Sequence, residues 1–90
     1  MKTLRQYFEK KLFNMLFFEE QAKEIMDNVI SDKANEAMNG RWDDSCDGYP
    51  QTMLPVLWMS VKDHALKWIE EKQPNHMAKM VLTMEMEMPK

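Results

Sequence analysis

"KKLFNMLFF", residues 10–18, decides how the first part of this chain folds. The stretch lies inside a longer apolar series: Leu4, Tyr7, Phe8, Leu12, Met15, Phe18, Ala22, Ile25, Met26, Val29 and Ile30. At about 100° per residue these positions stay within about 80° of Leu4, as one face of a helix does. Phe13, Leu16 and Phe17 disagree, falling between about 120° and 220° on the same wheel. Either one helix runs from about 4 to 30 and is buried on both sides of its middle, or the chain turns near Asn14 and two helices pack together. Unbroken phase and the lack of Gly or Pro favour continuity; the stray apolar residues favour a break or a partner. Both readings stay open. On a continuous helix Phe13, Leu16 and Phe17 form an apolar cluster uncommon on a monomer, so they are the expected interface of a homodimer or larger assembly.

Working outward, Thr3 followed by Gln6 is a capping box that starts the series. Ser31 or Asp32 can cap a short helix through Met38, and Asn39-Gly40 stops it in left-handed geometry. A second major helix is expected over 52–72, capped by Thr52, because Pro55 is tolerated only in a first turn. Its stripe is Leu54, Leu57, Trp58, Val61, Ala65, Trp68 and Ile69. Val56, Met59 and Leu66 lie off that stripe, which makes this the expected central helix. In the tail, Met77, Met80, Val81, Met84 and Met88 fit a helix, whereas Met80, Leu82, Met84, Met86 and Met88 alternate as a strand would. The expectation is all-α: a small helical bundle with two major helices, a short connecting helix and an acidic loop. Residues 1–90 make one domain, and 75–90 form a Met/Glu-rich tail.

The net charge of −3 has a location. Residues 1–31 hold five bases and five acids, and residues 51–90 again five of each. Residues 32–50 hold Asp32, Glu36, Asp43, Asp44 and Asp47 against Lys33 and Arg41, so the imbalance lies in the central connection. With no basic patch, nucleic acid is not an expected partner. Charges through the first 20 residues leave no room for a secretory h-region, and the run Met53–Val61 is about half a membrane span. One cysteine, Cys46, suits a reducing compartment. The expected location is cytoplasmic, without a membrane partner.

"RWDDSCDGYP", residues 41–50, is the stretch that carries candidate chemistry. Read as a calcium hand, Asp43, Ser45, Asp47 and Gly48 match positions 1, 3, 5 and 6, but position 12 is Leu54 and the closing carboxylate is missing. The plainer reading is an Asp47-Gly48 turn with solvated acids. Cys46 among carboxylates is in the wrong field for a nucleophile. His64 lies one turn from Ser60, yet no orienting acid shares that face of the helix. Methionine is abundant, 11 of 90, and thioethers at Met84, Met86 and Met88 near His76 could hold Cu(I); packing and adaptable contact faces are the ordinary use. Lys10 and Lys11 beside the phenylalanines do not make a membrane-surface helix, because the apolar residues surround it. Neither catalytic residues nor a cofactor or metal site is expected.

Arg41-Trp42-Asp43-Asp44, Gly48-Tyr49-Pro50 and Leu57-Trp58-Met59-Ser60-Val61-Lys62 resemble short uncharacterised proteins of bacteriophages and prophages, over residues 3–72. The resemblance carries no functional residues. It implies a setting in which small acidic proteins bind and inhibit host machinery. The expected function is therefore non-enzymatic binding of a host protein through Asp43, Asp44 and Asp47, with Trp42 and Tyr49 as aromatic anchors. A metal-binding protein using the Met tail (Cu) or the Asp loop (Ca) is the alternative.

Overall fold

The computed structural model describes residues 2–15, 17–72, 77, 79, 80 and 83. Three α-helices, α1 (Leu4–Asn14), α2 (Glu19–Ser31) and α3 (Met53–Glu71), are joined by short 3₁₀ segments at Lys33–Met38, Arg41–Asp43 and Cys46–Gly48. Among the described residues there is no strand, only an isolated antiparallel bridge between Thr3 and Ser45. The all-helical class is as the sequence implies.

The first apolar series is broken. A continuous helix over 4–30 would be about 40 Å long, and the molecule's longest axis is 34 Å. Helix α1 begins on the expected capping box, with Gln6 N donating to Thr3 Oγ1 and Thr3 N to Gln6 Oε1, both at 3.1 Å. It ends where Met15 N and Phe17 N both donate to Leu12 O, at 2.9 and 3.4 Å. Those bonds, with Phe18 N donating to Gln21 Oε1 at 2.9 Å, offset part of what the break removes, at about 1 kcal/mol per bond otherwise lost. In return Phe17 swings inward to 2 % exposure, edge-on to Trp68 with ring centroids 6.2 Å apart. Burying a phenylalanine contributes about 1.5–3 kcal/mol, so the break wins.

Glu19 and Glu20 sit in the first turn of α2, where the helix dipole favours acids. Ala22, Ile25, Met26 and Val29 then face the core at helical spacing. Arg5 ties α1 to α2: its Nε donates to Glu9 Oε2 at 2.7 Å and its Nη2 to Asp27 Oδ1 at 2.5 Å. Asp32 caps the connecting segment through Ala34 N at 2.9 Å, and Gly40 takes the left-handed turn at φ 80°. That segment is 3₁₀, kinked at Asn35.

Helix α3 starts after Thr52, which has helical backbone angles and makes no side-chain cap; Pro55 lies in the first turn as expected. Its Trp58 stacks on Phe8, which also meets the edge of Trp42, each pair 6.2 Å apart. The expectation of α3 as a central helix is corrected: off its stripe Val56 and Met59 are exposed, as is Met53, because α1 and α2 cover only one side. In the tail Met77, Lys79, Met80 and Thr83 are helical; Met84, Met86 and Met88, on which the strand and copper readings depend, lie outside the described residues.

Candidate functional site

The 41–50 loop is clamped to the start of α1. Leu4 N, one of the orphan donors of that helix, donates to Asp44 O at 2.9 Å, and Cys46 N donates to Lys2 O at 3.0 Å. Within the loop, Asp44 N donates to Arg41 O and Asp47 N to Ser45 Oγ, closing two tight turns. The backbone is thus held on either side of Ser45, within the acidic stretch. The side chains of Asp43, Asp44 and Asp47 are exposed, and none forms an ion pair among the described residues, Arg41 included.

Of the two expected anchors, neither stands free. Trp42 is 3 % exposed, packed on Phe8, and its Nε1–H is buried without a hydrogen-bond partner. This corrects its assignment to a binding surface: an indole offers the core more apolar area than any other side chain in the loop. Tyr49 is half-buried, with its hydroxyl donating to Met38 Sδ at 3.3 Å. The proposed oligomer cluster also divides. Phe17 is in the core, Phe13 is 56 % exposed, and Leu16 lies outside the described residues.

His64 does have an orienting acid, from another element. Its Nε2 lies 2.7 Å from Asp32 Oδ2, and with an ionised carboxylate the ring nitrogen is the donor. Ala34 N first, and His64 second, hold the Asp32 carboxyl below its ordinary value. Ser60 Oγ donates to Asn35 Oδ1 at 3.3 Å, so its proton is directed to an amide and not to the imidazole. With Trp68 Nε1 donating to Glu24, these contacts staple α3 to α2 and the connecting segment. They are arranged for attachment. Spacing along the helix related His64 to Ser60 but held no signal for a partner 32 residues away.

Among the described residues no three His, Cys, Asp or Glu side chains are grouped to hold a metal ion, and no helix is long and apolar enough to cross a membrane. Comparison of the chain with protein-family models, with curated proteins and with solved structures finds no match. What fold and loop define is a small helical protein with an acidic loop fixed to its core.

Proposed function

We propose that the protein is a non-enzymatic interaction module that binds a basic protein surface through the 41–50 loop. One observation carries the reading: Asp43, Asp44 and Asp47 are exposed and unpaired among the described residues, on a backbone held by α1. A prefixed loop loses little conformational entropy on binding, and acids left without internal partners are available for electrostatic steering. Trp42 contributes by anchoring the loop from beneath. In the phage setting that the sequence suggests, the partner is a host protein.

The test compares the protein with its Asp43→Asn, Asp44→Asn, Asp47→Asn variant, each immobilised against a host lysate at low and high salt. A protein retained by the native chain at low salt and lost by the variant supports the reading. Melting should change little, since exposed substitutions alter stability by less than about 0.5 kcal/mol each. Equal retention by both chains would make the loop a connector.

A further inference from the structure

Two aromatic rings stand in solvent at the corner between α1 and α2: Phe13 is 56 % exposed and Phe18 72 %. Phe13 also walls a cleft of 270 Å³, with Gln6, Glu9 and Lys10 from α1 and with Glu19 and Ala22 from α2. A cavity of about 150 Å³ accepts a benzene ring, so the cleft has room for a phenylalanine side chain. Exposed apolar surface beside a cleft, rimmed by charges, marks a face that meets another protein.

The charges on the two walls decide which protein fits. Glu9 is committed within its own chain, accepting from Arg5 Nε at 2.7 Å. Lys10, exposed on the α1 wall, takes part in no ion pair among the described residues. Glu19, on the α2 wall, reaches Lys23 at 3.6 Å with both side chains more than half exposed, a contact that water screens. One cation on one wall and one anion on the other therefore remain for a partner. A surface that pairs with its own copy needs that arrangement, because a two-fold axis along the cleft exchanges the walls. Lys10 of each copy then faces Glu19 of the other, and the ring of each Phe13 enters beside the other copy's Ala22. A partner with a single sign of charge would leave Lys10 or Glu19 facing its like.

The chain's acidic excess does not oppose this contact. It lies in residues 32–50, whose loop is bonded to Lys2 and Leu4 at the start of α1. Phe13 is about 14 Å further along that helix, beyond the reach of about 8 Å that charges have at physiological salt.

We infer that the protein forms a two-fold dimer through the α1–α2 corner, with Phe13 of each copy in the cleft of the other and Lys10 paired with Glu19 in both directions. This does not rest on the acidic loop, which lines no part of the cleft and stays uncovered on both copies.

The experiment follows the mass of the full chain by light scattering across a concentration series. The native chain should reach the mass of a dimer. Lys10→Glu and Glu19→Lys should each weaken it about tenfold or more, since each sets like charges together in both contacts. Mixed in equal amounts, the two variants should recover the dimer, because the exchanged charges again oppose. Lys33→Glu makes the same change of charge away from the corner and should leave assembly as it is. All three side chains are exposed, so helix content by circular dichroism should not change. A native chain that stays monomeric overturns the inference. So does a dimer that Lys10→Glu leaves intact, one that Lys33→Glu weakens equally, or a mixture no more associated than its two components.

Discussion

Three phenylalanines at the α1–α2 corner occupy three different environments: Phe13 is 56 % exposed, Phe17 2 % and Phe18 72 %. Phe18 is the N-cap of α2. Its N–H donates to Gln21 Oε1 at 2.9 Å, yet its ring has no oxygen to accept from the first turn. Phe18→Ser supplies that acceptor and should raise stability by about 1 kcal/mol, read as a higher urea midpoint at unchanged slope. A lower midpoint would mean that the ring buries area which its exposure does not suggest. Phe17→Ala should cost about 3–5 kcal/mol, and Phe13→Ala less than about 0.5. Equal costs at the two sites would contradict the break between the helices. Wheel geometry singled out both residues as off the stripe; it could not say which one the turn would rotate inward.

Among the elements, the connecting segment is the joint that Asp32 controls. One oxygen of its carboxylate caps Ala34 N and the other meets His64 on α3, while Asn35 Nδ2 closes back on Val29 O at 2.9 Å. Because the folded-state value of Asp32 lies below its ordinary 3.8, the stabilisation is complete above that pH and disappears as pH falls through the lowered value. The gap in melting temperature between the native protein and Asp32→Ala should therefore hold steady from neutrality down to about 4 and narrow in stronger acid. A gap that persists unchanged through the acid range would take the carboxylate's charge out of the joint. A cap at Ser31 or Asp32 was readable from the neighbouring residues. Its bond to His64 was not.

At the scale of the whole molecule, the net charge of −3 comes from residues 32–50, while Lys2, whose carbonyl holds Cys46 of the acidic loop, lines a cleft with Tyr7, Lys10, Lys11 and Asn14. Opposite charges thus occupy adjoining regions of one small body with a Cα radius of gyration of 12.7 Å. With Phe17 inside, the apolar surface left at the α1–α2 corner is Phe13 and Phe18, beside a cleft of 270 Å³ lined by Gln6, Glu9, Lys10, Phe13, Glu19 and Ala22. Expected from light scattering is a dimer that Phe13→Glu disperses without loss of melting temperature. A native chain that stays monomeric at high concentration would remove self-association from the account.

By itself the sequence determined the helical class and the local punctuation: the Thr3–Gln6 capping box, a cap at Ser31 or Asp32, the left-handed Gly40 and Pro55 in a first turn. Each depends on residues within one turn of chain, where backbone sterics and side-chain caps act alone. Tertiary structure decided the break after Asn14, the burial of Trp42 beneath three exposed aspartates, the His64–Asp32 bond and the gathering of Lys2 with Lys10 and Lys11. Those outcomes turn on what lies across the core. Periodicity shows which residues share a face, but whether a ring is worth a broken helix depends on the distant side chain it meets, here Trp68 for Phe17 and Phe8 for Trp42.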